Sequence, residues 1–474
     1  MLNYFPKYFT SKAIYLYIGA LLVVSFVFRS YTMHWYWYII GLIATCGFFY
    51  FSNTLTRNWS CITSKSFTKK LFTTALTIRI IWVVFSYFFY IAMTGQPFEF
   101  SSADATFYDQ MGKFGHRLIT EGNFNFLSEF DRHGGKVAVS DCGYPIYLSF
   151  IYFLTGNSIF IARIIKALLS AFTIILIYRL SVRNFGEGIG RIVAIFCVLM
   201  PNFIYYCGLH LKETEMLFLI VAFIERADHA MRNPKFSFLN FVLPVLLAAS
   251  LFFFRTVLGA TALFAFVTAL IFSSTRAIKK GGRRLMLIVW VAVVVTYFIG
   301  GRIATEVEEV WEARNDNQQT SMEWRAERKD GNQFAKYASG AVFAPLILVI
   351  PFPTIVNVEI QQNQQMIHGG NYVKNILAFF AMFSLLWFIK SGKWRDHLLL
   401  ISFPLGYLIV IALSAFAHSE RFHLPALPFL LILAAVGVSQ QTNKSKKYYI
   451  WYLTFIFVAI VGWSWYKLAG RGMV

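Results

Sequence analysis

The stretch LFTTALTIRIIWVVFSYFFYIAMT, residues 71–94, carries a single charged side chain, Arg79. About 20 mostly apolar residues in a helix cross the roughly 30 Å hydrocarbon layer of a bilayer, so this segment predicts a membrane span. Comparable stretches recur at about residues 14–29, 33–51, 159–180, 189–207, 213–226, 238–254, 256–273, 285–300, 374–390, 398–416, 424–438 and 447–466, roughly thirteen crossings in all. Composition agrees: 57% of the 474 residues are hydrophobic and only 14% charged, against about 25% charged in a soluble domain. In lipid every backbone amide must be satisfied internally, and the chain lacks the regular alternation of a barrel, so the spans are helices. The expected fold is all-α: one polytopic transmembrane bundle over residues 1–474, with residues 14–29 as an uncleaved first span.

The net charge of +20 does not point to nucleic acid. The basic residues fall in short clusters between apolar stretches, such as Lys65, Lys69 and Lys70, or Lys444, Lys446 and Lys447, as expected for cytoplasmic loops. With the N-terminus inside, this pattern puts three loops on the outer face: a first at 95–158, a second at 301–373 and a short turn at 417–423. Residues 374–474 then form the C-terminal transmembrane helices. Two segments do not fit as simple spans. Residues 143–155 are short, and 341–356 hold Pro345, Pro351 and Pro353, which break a helix; both are expected as juxtamembrane or re-entrant helices on the outer face. The five cysteines show no CxxC spacing, so neither a zinc site nor a disulfide framework follows.

Chemistry is sought where irregular backbone meets water at the membrane surface. The first outer loop opens SSADATFYDQMG, and Asp104 and Tyr108 are spaced to share a helix face, with Asp109 one position on. Spacing alone reads Asp104 as a helix cap after Ser101 and Ser102; its place just outside the bilayer also suits a general base toward a hydroxyl. Arg255 interrupts an apolar run, as a functional intramembrane charge or as a snorkelling side chain in an outer turn. Lys212 and Glu213 begin a span, either as a binding pair or as a plain helix end. His418, Glu420, Arg421 and His423 crowd one short turn, AHSERFHLP, with the histidines read as interfacial and Arg421 as the candidate phosphate contact. Arg163 and Lys166 read as headgroup anchors. The run IQQNQQMIHGGNY is either a polar surface loop or a set of amides for sugar hydroxyls.

The ordered set SADATFYDQMG, GYPIYLSFIYFLTGNSIFIARIIKALLSAFTIILIYRLSVRNFG, MPNFIYYCGLHLKET and SERFHLPALPFLLILAA resembles the GT-C superfamily of polyprenyl-phosphate-dependent glycosyltransferases, in the branch of protein O-mannosyltransferases and lipid A aminoarabinosyltransferases. The likeness runs over residues 71–440. It implies a transferase that moves a sugar from a polyprenyl-phosphate donor to a lipid, glycan or protein acceptor on the outer side of the membrane. In that family an acidic residue at the start of the first outer loop is the base, and Asp104 matches it. Ala105 stands where a second acid often follows, which leaves Asp109 and Asp141 as candidates for a second carboxylate. Arg421 matches the family's arginine before Leu-Pro, and Tyr108, Lys212, Glu213, Arg255 and His418 complete the expected substrate contacts. No metal and no cofactor are expected, and the lack of large soluble domains suggests a bacterial inner membrane with the site facing the periplasm. A surface-polysaccharide polymerase or ligase and a lipid-linked-sugar flippase are the alternatives; the first would lean less on one acid, and the second would need charges at mid-membrane, where Arg79 is the main one.

Overall fold

The computed structural model describes residues 2–134, 139–232, 238–273, 323, 326–327, 330–338, 343–413 and 418–474. Among these residues there are helices and no strands. In chain order the principal ones are α1 (Lys7–Val27), α2 (Trp35–Asn58), α3 (Ser64–Thr94), α4 (Ala103–Thr120), α5 (Phe126–Gly134), α6 (Val139–Thr155), α7 (Ile159–Phe185), α8 (Glu187–Leu199), α9 (Pro201–Cys207), α10 (Glu213–Arg232), α11 (Phe238–Phe254), α12 (Thr256–Phe272), α13 (Gln362–Ser391), α14 (Leu398–Ala412), α15 (Leu427–Ser439) and α16 (Asn443–Ala469). Eight helical segments among the described residues are long and apolar enough to cross a membrane, nine if the pair α8 and α9, bent by 48°, is one span. The thirteen expected crossings are accounted for only in part. Two apolar helices, Val242–Phe254 and Thr256–Phe272, are shorter than a span. α10 is long enough but carries Glu213, Glu215, Glu225, Arg226, Asp228 and Arg232, and residues 285–300 lie outside the described ones.

The charges inside the bundle have local causes. Pro201 opens α9 and has no N–H to give to the preceding turn, which leaves carbonyls of α8 free. Arg79 supplies donors to them, at 3.2 Å from the Cys197 oxygen and 3.4 Å from that of Val198, with Nε on Ser170 Oγ at 2.6 Å. The mid-membrane charge thus mends a broken helix. α10 buries its acids against basic partners on α7: Lys166 lies 3.5 Å from Glu215, and Arg183 joins Glu225 and Asp228.

The bundle's two ends differ. One end gathers the C-terminus of α3, helices α4 to α6, the 208–212 loop, Arg255, the turn at 418–423 and the C-terminus of α16. α3 ends at Gly95, whose φ of +77° suits glycine best, and the chain then runs through 96–102 into α4. α4 and α6 pack along each other, so residues 143–155, expected as a juxtamembrane or re-entrant helix, form part of α6 (Val139–Thr155). Residues 344–346 make one 3-10 turn, and the chain beyond it, 349–356, is irregular and buried rather than the expected re-entrant helix. The prolines prevent a helix, and α13 provides the missing donors: Lys374 Nζ reaches the Ile350 carbonyl, and Asn375 Nδ2 reaches those of Val349 at 2.5 Å and Pro351 at 3.0 Å. Residues 349–356 are buried, so protein groups satisfy this irregular backbone.

Candidate active site

A cavity of about 1000 Å³ opens at the α4 end. Asp104 and Arg421 line it together with Glu99, His418, Glu420, the amides Gln361, Asn363 and Gln364, and, from the last helix and its tail, Lys467 and Arg471. Asp104 stands in the first turn of α4, where no side chain caps the helix. Its carboxylate accepts instead from Arg421 Nη1, so this acid serves a tertiary contact, not the local cap that spacing suggested. Arg421 donates through Nε to Glu213 Oε1, bridging one carboxylate that is 53% exposed and another that is fully buried.

Behind this bridge lies a support. Arg255 sits 3.8 Å from Glu213 Oε1, stacks 4.6 Å from the Phe422 ring centroid and donates to Tyr407 Oη at 3.4 Å. It caps the break between α11 and α12 with an extended backbone, φ −168°. Lys212 is nearly buried; it donates to Asp141 and, at 2.7 Å, to the Phe254 carbonyl. Burial pulls its pKa below the usual lysine value, and Asp141 opposes that pull. Tyr108 Oη also donates to Asp141, at 3.3 Å. Lys212, Asp141, Tyr108 and Arg255 therefore stand next to the cavity's charged wall without lining it.

Asp109 points elsewhere. Its two oxygens accept from Tyr152 Oη at 2.6 Å and Lys113 Nζ at 2.7 Å, and Tyr152 Oη in turn meets His210 Nε2 at 3.1 Å. His423 faces Lys374, at 2.9 Å, inside the bundle, whereas His418 lines the cavity. Arg163 and Lys166 are buried rather than anchored at headgroups. Lys166 donates to the carbonyls of Leu209 and Leu211, and Arg163 to that of Pro97, so both hold loops of the α4 end.

Three features escaped the sequence reading. Glu99 is 6% exposed, and burial pushes its carboxyl above the usual carboxylate range, opposed by a hydrogen bond from its own backbone and by the Arg163 and Arg421 charges. Its position between Phe98 and Phe100 is a local sign of a buried acid. Lys467 and Arg471 carry no such sign, since a basic residue at the end of a span reads as an interface anchor. Lys467 Nζ donates to Gln364 Oε1 at 3.0 Å. Among the described residues, no group of three or more His, Cys, Asp or Glu side chains is placed to hold a metal ion.

Residues 365–469 match the model of the Alg9-like mannosyltransferase family, a GT-C-type glycosyltransferase family. The matched segment runs from α13 through α16 and so includes Arg421 and Lys467 but not α4. No curated protein and no solved structure matches the chain. The match covers 105 of the 474 residues, and over that part the chain is similar to a GT-C-type family of membrane mannosyltransferases, in keeping with its helical, membrane-spanning architecture.

Proposed function

We propose that the chain transfers a sugar from a polyprenyl-phosphate carrier to a hydroxyl of an acceptor on the extracytoplasmic side, with Asp104 as general base and Arg421 holding the phosphate. The observation that carries this reading is the meeting of Asp104 and Arg421 on one cavity wall, beside a row of amides. The acceptor oxygen gives its proton to the Asp104 carboxylate and attacks the anomeric carbon. The carbon–oxygen bond to phosphate breaks, and the leaving phosphate keeps the electron pair. A positioned base contributes about 10²–10⁴-fold to such a step, and a cation aimed at the developing charge adds to it.

Arg421 begins the cycle bound to two carboxylates, which decides the order of events. An ion pair with an exposed partner is worth about 0–1 kcal/mol, whereas separating a buried one costs about 3–5 kcal/mol. An arriving phosphate therefore displaces Asp104, not Glu213. The exchange leaves Arg421 anchored through Nε, turns its Nη groups to the donor and frees Asp104 to act as base. Basic loops at the other end of the bundle support an extracytoplasmic site.

The test is incubation of purified protein with a panel of polyprenyl-phosphate sugars, followed by mass spectrometry for bound donor and an assay for transfer. Bound donor in both wild type and Asp104→Asn, with transfer in the wild type alone, is expected. Transfer that persists in the variant removes Asp104 from the mechanism.

A further inference from the structure

The segment that follows α16 lines the cavity and is held there from several sides. A short stretch beyond a helix end frays unless it is tied down. Here Tyr31, in the 3-10 turn between α1 and α2, donates from its hydroxyl to the Met473 carbonyl, and the Asn332 N–H donates to the Ala469 carbonyl at 2.9 Å. Tyr31 is fixed in turn, since its own carbonyl accepts from the Asn357 N–H at 2.7 Å. These bonds set Gly470 and Arg471 in the lining of the cavity that holds Asp104 and Arg421. Arg471 is partly exposed, and its Nη1 donates to the Lys467 carbonyl at 2.5 Å, which orients the guanidinium at the helix end. Lys467 also lines the cavity but is only 3% exposed; it donates to Gln364 and lies in the field of Glu420, so it steadies the wall rather than offering a contact.

The transfer step described above makes no use of Arg471. A polyprenyl-phosphate donor carries one phosphate, which goes to Arg421, and a neutral sugar carries none, so a second cation in the lining calls for a second anion. A guanidinium matches the paired oxygens of a phosphate or carboxylate through parallel N–H groups. The space is sufficient. The cavity's volume of about 1000 Å³ is at the upper end of the roughly 300–1,000 Å³ that pockets give one drug-sized ligand, and a sugar phosphate head group is smaller than that. We propose that Arg471 binds an anionic group, phosphate or carboxylate, on the acceptor, and so selects acceptors that carry a charge near the hydroxyl to be glycosylated. This assignment rests on the donor reading above, which places the donor's own phosphate at Arg421.

The experiment measures binding of glucose 6-phosphate, glucuronate and glucose, soluble stand-ins for an acceptor head group, to the full-length protein saturated with undecaprenyl phosphate. Titration calorimetry gives the affinities, and thermal unfolding is followed alongside. Wild type is expected to bind at least one of the two anions about ten- to hundredfold more tightly than glucose, the worth of one charged hydrogen bond. The better of the two identifies the acceptor's group as phosphate or carboxylate. Arg471→Gln should bring that anion down to the affinity of glucose and leave undecaprenyl phosphate binding and the unfolding midpoint unchanged. Absence of an anion preference in wild type overturns the assignment and leaves the donor reading intact. A preference that survives Arg471→Gln and is lost in Arg421→Lys also overturns it, since the anion then lies at the donor's cation. If wild type does not bind undecaprenyl phosphate yet shows a preference that depends on Arg471, the donor reading falls and the anion site stands. Should Arg471→Gln fail to fold, Arg471→Lys decides: one ammonium cannot reproduce the paired contact, so the anion should weaken about three- to tenfold, and unchanged affinity in the folded variant overturns the site.

Discussion

At the end of the bundle away from the cavity, Arg183 joins Glu225 and Asp228; at the α4 end, Arg421 joins Asp104 and Glu213. The two networks use the same side chains and differ in how completely they close. Around Arg183 each carboxylate oxygen finds a donor: Arg226 Nε reaches Glu225 Oε2 at 2.6 Å, Arg232 Nε reaches Asp228 Oδ1 at 2.8 Å, and Asn184 Nδ2 reaches Asp228 Oδ2 at 3.0 Å. Around Arg421, Glu213 Oε2 is buried without a partner, Glu99 Oε2 likewise, and Asp104 lies half in solvent. A closed network holds helices together, whereas the open one ends at the cavity, where Asp104 and Arg421 face the space a substrate would enter.

The contrast breaks first at Asp104. Asp104→Asn should lower transfer by about 10²–10⁴-fold, the usual worth of a general base, with unfolding temperature and donor binding preserved. Activity above a tenth of wild type would make the α4 end as structural as its counterpart. Next in size is Asp228→Ala at the closed end. It leaves Arg183 and Arg232 with a buried partner missing, so stability should fall by about 3–5 kcal/mol while turnover per folded molecule stays within a factor of two or so. A larger drop in turnover of the folded fraction would tie that end to function. Arg421→Lys is smaller again. One ammonium cannot reproduce the fork that spans Glu213 and an incoming phosphate, and loss of one charged hydrogen bond, about 1.5–3 kcal/mol, predicts a ten- to hundredfold fall in kcat/KM. Unchanged kcat/KM would move the phosphate away from Arg421.

The spans were legible because burial in lipid leaves a run such as 71–94 with one charge to explain. α10 was read as a span, although its acids fail a simple apolarity test; those acids are compensated by Lys166 and Arg183 from α7, a relation that no local pattern encodes. The turn 418–423 stood out because four ionisable groups crowd six residues. By contrast, the cavity's second wall was not readable. Gln364 and Lys467 are 103 positions apart in sequence, and each looks ordinary in its own neighbourhood. Glu99 gave a signal in its flanking phenylalanines, but an acid in an outer loop is commonplace until its burial is known.

Asp109 sharpens the comparison from inside the site itself. On a helix, Asp104 and Asp109 are separated by about 140° at 100° per residue, so both cannot face one cavity. Asp109 accepts from Tyr152 and Lys113 and makes a small closed network, like that of Arg183, within the α4–α6 contact. Asparagine keeps an acceptor for the Tyr152 hydroxyl and loses only the pairing with Lys113, whose side chain is 44% exposed. Such a pair is worth about 0–1 kcal/mol, so Asp109→Asn should cost the fold no more than that and leave transfer within about twofold of wild type. A loss of transfer comparable to that of Asp104→Asn would mean that a satisfied carboxylate can still be catalytic, and would break the rule by which the two ends of the molecule were told apart.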